Sequence, residues 1–327
     1  MAVVRWGILG PGKIAKRFVS DLKRTDGAVI QAIASRSEER AEAFRAEHGA
    51  ESVHTSYEAL AEDSKVDIVY VATPHVFHMD GTLLCLQRKK PVLCEKPFAV
   101  NAKQARKMVE CARENDTFLM EAMWTRFFPI MAEVRKRIAD GAIGEVRMVQ
   151  ADFGFRCGWN PESRLLKREL GGGGLLDVGV YPMSFFFMLL GTPVEVQGQA
   201  HVGETGVDEQ AAWICKYGKG ELAIGATGVQ TRTPQVGTII GTEGSITLDA
   251  PWWKPNRMTV AVNGKDPEVV EMPYEGGGFQ FEAAAVGQAL KDGLKEHPLM
   301  PLDESVAIVE TMDMLRGQWG VEYPCEK

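Results

Sequence analysis

The sequence predicts an α/β protein in two parts: a doubly wound parallel sheet, then an α+β region around a large, mainly antiparallel open sheet. Three observations carry this. Up to about residue 122, short apolar segments alternate with helical patterns, as expected of strands covered on both faces. Beyond residue 145, short alternating segments follow one another through glycine-containing turns such as Tyr217-Gly218-Lys219-Gly220 and Asn263-Gly264, as expected of hairpins. The run Gly10-Pro11-Gly12-Lys13-Ile14-Ala15 stands between the first strand pattern and the first helix pattern. At 327 residues the chain is comfortable as two domains, 1–122 and 123–327.

In order, residues 3–9 read as a strand. Ile14, Ala15, Phe18, Val19 and Leu22 then recur at helical spacing. Residues 29–34 form a second strand, and 38–48 a charged helix with Ala41 and Phe44 inward. Strands at 67–72, 91–94 and 118–122 complete the parallel set. Asn101 is placed to cap a helix over 102–115. In the second part, 145–153 alternates and 175–190 reads as a buried helix. Strands follow at 194–202, 208–217, 220–229, 235–241, 245–249, 258–263 and 268–272, then helices at 280–292 and 303–318.

A net charge of −7 argues against a nucleic-acid partner, though a local basic patch could hold an anion. The six cysteines form no Cys-x-x-Cys pair, as expected of free thiols in a reducing cytosol. No leader pattern precedes the first strand, and the apolar stretch from Pro182 to Gly191 is too short to span a bilayer. The expectation is a cytoplasmic protein with no membrane association.

The glycine run fits a dinucleotide-binding turn. Gly10 allows the tight turn, Gly12 lets backbone approach a pyrophosphate, and the small Ala15 permits close helix–strand packing. The helix beginning at Lys13 and Ile14 offers free N–H groups to the phosphates. The second strand ends in Ser35 and Arg36, with Arg40 a turn later, where an NAD site carries an acid for the ribose hydroxyl. Hydroxyl and guanidinium suit a 2′-phosphate instead, so the reading is NADP over NAD. The plain alternative makes both arginines surface charges. Thr73, Pro74, His75 and His78 close the third strong strand, on the rim where cofactors lie. His75 and His78 have no third partner at metal-ligand spacing, so cofactor contact or packing is preferred and no metal is assigned.

Glu95 and Lys96 end another parallel strand at the same rim. Asp177 and Tyr181 are four residues apart, on one face of a helix that follows the flexible run Gly171–Gly174. Alone, these would read as a surface lysine and a helix with a core tyrosine. Together they suit alcohol oxidation, in which a base takes the O–H proton while hydride leaves for a nicotinamide. A phenol, ordinarily with a pKa of about 10, can do this when a cation such as Lys96 favours the phenolate. Asp177 is assigned to orienting Lys96 or a substrate hydroxyl.

On Gly10–Ala15, Ala72-Thr73-Pro74, Glu95-Lys96-Pro97 and Gly172–Tyr181, taken in this order and spacing over about half the chain, the sequence resembles the Gfo/Idh/MocA oxidoreductase family. Many members have histidine where Tyr181 stands. Tyrosine there, Glu121–Pro129, Glu204–Asp208 and the Trp252 region are similar to the family's branch of dihydrodiol and sugar dehydrogenases. The resemblance implies a Rossmann domain, NADP-dependent hydride transfer and a second domain whose open sheet pairs in a homodimer or a dimer of dimers. Trp124, Arg126, Phe153, Phe155, Trp252 and Phe279 are candidates to wall a pocket for a pyranose such as xylose or glucose, or for a trans-dihydrodiol. Ketosugar reduction, an NAD-dependent cyclitol dehydrogenase, a cofactor-assisted glycosidase and a non-catalytic NADP-sensing dimer are the competing readings.

Overall fold

The computed structural model describes residues 3–326 and divides the chain into two compact units. The first unit begins with β1 (Val4–Leu9), α1 (Lys13–Leu22), β2 (Ala28–Ala34), α2 (Glu38–His48), β3 (Ser52–His54) and α3 (Tyr57–Glu62). It continues with β4 (Ile68–Val71), α4 (His78–Leu86), β5 (Val92–Glu95), α5 (Ala102–Glu114) and β6 (Leu119–Ala122). The six strands are all parallel, in the order β3-β2-β1-β4-β5-β6. The order reverses between β1 and β4, and ligands of such sheets lie beyond the strand ends at that switch point. Asn101 caps α5 as expected, accepting a hydrogen bond from the Gln104 N–H at 2.9 Å. Ser37 and Ser56 do the same for α2 and α3.

The second unit holds α6 (Pro129–Ala139), β7 (Val146–Gly154), a π-helical turn at Leu175–Gly179 and α7 (Val180–Leu190). Then come β8 (Glu195–Val202), β9 (Asp208–Lys216), β10 (Leu222–Gly228), β11 (Gly237–Gly241), β12 (Gly244–Leu248), β13 (Arg257–Val262) and β14 (Glu268–Glu271). These strands form an eight-stranded sheet in the order β14-β13-β12-β11-β7-β10-β9-β8. Every pairing is antiparallel except β7 with β10. One face carries the buried Val149, Ala151, Ala211, Trp213, Cys215, Ala223 and Ile239, with α7 packed over β7 and β10. The other face presents Met148, Ala212, Ile214, Leu222, Ile224 and Ile240, all at least partly exposed. Cross-strand pairing joins Ile214 to Ile224 and Met148 to Leu222 and Ile240, so the exposed apolar residues are contiguous. Residues 168–190 are long and apolar enough to cross a membrane, but 83% of the apolar 18-residue stretch within them is buried inside the protein.

The predicted single boundary near residue 122 needs a correction. The first unit takes residues up to Trp124 and also Glu275–Val306, which contain α8 (Phe279–Lys291) and the start of α9 (Leu302–Trp319). The cause is visible in the contacts. Asp21 on α1 accepts hydrogen bonds from the N–H groups of Gly277 (2.8 Å) and Phe279 (3.1 Å), at the start of α8. Phe279 meets Phe18 edge-on, and the Leu119 N–H donates to the Lys295 carbonyl at 3.0 Å. Periodicity shows which helix face is buried, not which sheet buries it.

Candidate active site

In the first unit the loops after β1, β2, β4 and β5 gather at one rim of the parallel sheet. Gly10 takes a φ of +91°, and a Cβ there would lie 3.1 Å from the Thr73 side chain and 3.2 Å from the Ala72 carbonyl. Only glycine fits without strain. Gly12, the N-cap of α1, has open space where a Cβ would stand, and no side chain caps the helix. Lys13 is exposed beside it and Ile14 half-buried, while Ala15 is fully buried against the sheet. The uncapped first-turn N–H groups and the clear approach over Gly12 fit a dinucleotide pyrophosphate.

At the end of β2, Ser35 is buried and its hydroxyl accepts from the Ser37 N–H at 3.2 Å. Arg36 and Arg40 are exposed. The Arg36 guanidinium lies 5.8 Å from the centre of the Phe77 ring, which links the β2 loop to the β4 loop. Thr73 is half-buried, Pro74 exposed and His75 buried.

Of the two expectations for His78, cofactor contact and packing, its surroundings match packing. It is fully buried, with Nδ1 2.8 Å from the Pro97 carbonyl and Nε2 2.9 Å from the Thr73 carbonyl. Burial outweighs both carbonyls and lowers its pKa to about 4, so the neutral ring donates its single N–H to one of the two carbonyls and packs between the Thr73 loop and the loop that carries Lys96. Lys96 is half-buried at the end of β5, beside a buried Glu95 whose carboxylate accepts a hydrogen bond from the Tyr70 hydroxyl.

The aromatic candidates fall into two groups. Trp124 and Phe279 belong to the first unit, stacked on each other at 4.3 Å in a cluster with Phe18, Tyr70 and Trp6. Phe279, Trp6 and Phe18 are buried, and so is Trp124. Glu282 of α8 is fully buried, and burial together with the Glu95 charge lifts its carboxyl well above the ordinary range.

The second unit holds the acid–phenol pair. Asp177 lies in the π-helical turn and Tyr181 near the start of α7; they are 4% and 7% exposed. Arg164 Nη1 reaches Asp177 Oδ1 at 2.8 Å, so the charge of the buried carboxylate is matched by a half-exposed guanidinium. The Tyr181 ring stands 5.2 Å from Phe153, and Phe153 in turn stacks on Trp253 with an interplanar angle of 10°. Phe155 is half-buried, 6.3 Å from Phe153.

Two expected substrate contacts read differently in the structure. Trp252 is fully buried, its indole N–H donating to the Asp152 carbonyl at 2.7 Å, so it supports the wall from behind. Its neighbour Trp253, not singled out from the sequence, is the residue stacked on Phe153. Arg126 is 3% exposed and donates to the Ser184 hydroxyl (2.8 Å) and carbonyl (2.7 Å), fixing α7. The only sequence signal for Trp253 was its place next to Trp252. The Asp208 carboxyl, also missed, is taken up below.

Residues 4–123 match the model of an oxidoreductase family with an NAD-binding Rossmann fold, and residues 131–247 match the GFO/IDH/MocA C-terminal domain. The trans-1,2-dihydrobenzene-1,2-diol dehydrogenase of Xenopus laevis is 40% identical, over 98% of this chain and 99% of its own. The human enzyme of the same name is 35% identical, over 99% of both. A 3-ketoreductase from Actinomadura kijaniata, solved with NADP and TDP-benzene, has a TM-score of 0.86 at 27% identity, covering 96% of this chain and 97% of that one. An aldose-aldose oxidoreductase from Caulobacter crescentus shares the fold at a TM-score of 0.87 and 23% identity, covering 95% and 96%.

Proposed function

Because the chain belongs to the GFO/IDH/MocA family of oxidoreductases, we propose that it is an NADP-dependent dehydrogenase that oxidises a secondary or anomeric hydroxyl of a pyranose or a trans-dihydrodiol. The observation that carries this is the acid–phenol pair: Tyr181 set against the Phe153–Trp253 wall, four residues from an Asp177 held by Arg164. When bound, the nicotinamide supplies a hydride acceptor, or a donor in the reverse direction. The chain's own part is proton handling and orientation. Tyr181 takes the hydroxyl proton as the C–H bond breaks and returns it in reduction. Lys96 remains the candidate cation for favouring a phenolate, and Asp177 orients the reacting groups. Phe153, Trp253 and Phe155 offer flat faces to a ring, with Trp252 and Arg126 stiffening that wall.

NADP is favoured over NAD by Ser35, Arg36 and Arg40 and by the lack of an acid at the end of β2. Gly10, Gly12, Lys13, Ile14, Thr73, Pro74, His75 and Glu95 complete the coenzyme site. His78 acts there by holding the loops together. The contiguous apolar face of the second sheet supports a homodimer built on that face. All six cysteines are free, which suits a reducing cytoplasm.

The test is a panel of sugars and dihydrodiols, with NADP and NAD each followed for reduction, on the wild type and on Tyr181→Phe. The variant should bind NADP normally and turn over about 100-fold or more slower, the usual range for losing an acid–base group. Near-wild-type turnover in Tyr181→Phe would overturn the assignment.

A further inference from the structure

Asp208, the first residue of β9, is fully buried, yet its charge has no ion-pair partner among the described residues. Its Oδ2 accepts the Leu175 N–H at 2.6 Å, at the first residue of the π-helical turn. Its Oδ1 has no hydrogen-bond partner and faces Gly173: a Cβ on Gly173 would sit 2.3 Å from it, and one on Gly174 3.4 Å from Oδ2. Gly173 has a φ of +113°, so the backbone passes the carboxyl group at a distance and in a conformation that only glycine allows.

Two more groups grip the same glycine run. The Thr227 hydroxyl on β10 lies within hydrogen-bond reach of the Gly174 carbonyl (3.2 Å) and the Phe153 carbonyl (3.1 Å), its one proton shared between them, and the Tyr323 hydroxyl near the C-terminus donates to the Gly172 carbonyl at 2.7 Å. Tyr323 is itself placed by Arg316, which lies 4.9 Å from its ring centre and pairs with Asp313 and Glu326. Glycine-rich backbone is conformationally loose. Here the sheet and the chain end hold it from opposite ends of the Gly172–Leu175 segment. What leaves this grip is the turn carrying Asp177, followed by Tyr181.

We propose that Asp208 is a positioning residue for the reaction: it seats the Leu175 N–H and so fixes the turn from which Asp177 and Tyr181 project. This rests on the catalytic reading of Tyr181 given above. Burial raises the Asp208 carboxyl to about 7, and either its neutral or its charged form can accept the Leu175 N–H. Asparagine keeps an acceptor oxygen at the same place, and alanine keeps none.

Purified Asp208→Ala, Asp208→Asn and Tyr181→Phe, and the Asp208→Ala/Tyr181→Phe double variant, are assayed for kcat, KM and NADP affinity by fluorescence titration. Asp208→Ala should lose about 10- to 100-fold in kcat, as expected when a reacting group is misplaced by about 1 Å, with NADP affinity within about two-fold of wild type. Asp208→Asn should recover to within about three-fold of wild type. In the Tyr181→Phe background the alanine change should cost less than about three-fold, because the group it positions is gone. A kcat for Asp208→Ala near wild type, or an equal loss with and without the Tyr181 hydroxyl, overturns the proposal. If Tyr181→Phe itself keeps full turnover, the catalytic reading fails instead. If Asp208→Ala does not fold, Thr227→Val removes another hold on the same loop. It should lower kcat at least about three-fold with KM for NADP unchanged, and an unchanged kcat overturns the proposal.

Discussion

Arg36 leaves β2 directly after the buried Ser35, with its guanidinium in solvent beside the Phe77 ring. A 2′-phosphate bound there would gain charge-assisted hydrogen bonds that a 2′-hydroxyl cannot match, about 1.5–3 kcal/mol. Arg36→Ala is therefore expected to weaken NADP binding about 10- to 100-fold and to change NAD binding less than about two-fold, both read by titration calorimetry. An equal loss for both coenzymes would remove the basis for the NADP preference. Single residues were legible where backbone geometry dictates the type, as at Gly10. They were less legible where only burial decides the role. Trp252 read as a contact residue and His78 as either contact or packing, but the structure packs the His78 ring between two carbonyls and spends the Trp252 indole on the Asp152 carbonyl. Nothing in the order Trp252-Trp253 says which ring faces Phe153, because the local backbone turn decides it. The hold of Asp208 on the turn was invisible for the same reason, since its partner Leu175 is 33 residues away in the chain.

Among the elements, every strand of the second sheet could be read from alternation and turns, including β7. What alternation did not reveal was that β7 runs parallel to β10 inside an otherwise antiparallel sheet. Four elements of the first 140 residues were missed. β3 and α3 span three and six residues, too short for a period to register. The buried face of α4 is His78, Gly81, Thr82, Cys85 and Leu86, at helical spacing but mostly not apolar by type. The α6 helix starts on Pro129, a residue that reads as a breaker but fits the first helical turn. The helix predicted over 175–190 exists, but its first turn is π-helical. Pro182 has no N–H to return to the Val178 carbonyl, which accounts for the widened turn just before it. At this scale the open face of the second sheet makes its own prediction. Ile214 is 48% exposed beside Ile224, so Ile214→Glu should leave the fold intact and convert a dimer to a monomer in sedimentation velocity. A wild-type chain that sediments as a monomer, or a variant that stays dimeric, would count against this face.

For the molecule as a whole, the path of the chain matters more than any one contact. The parallel sheet is drawn from the first 122 residues, yet its unit is completed by Glu275–Val306. Phe279, Asp21 and the Leu119–Lys295 hydrogen bond all depend on that return. A fragment ending at Trp124 is accordingly expected to show no cooperative melting transition by circular dichroism and no NADP binding. A fragment with residues 275–306 attached through a flexible linker should recover both. A sharp melt of the short fragment alone would show that the return is dispensable.

The return of Glu275–Val306 also has a consequence for synthesis. At about 5–20 residues per second, a ribosome that has released the last parallel strand needs roughly ten to thirty seconds more to deliver α8. Through that interval the flank of α1 that will receive Phe279, and the bare edge of β6, stand uncovered in a crowded cell. The nascent chain is thus a natural client for chaperones, and its yield on expression should track their supply more closely than the stability of the finished protein.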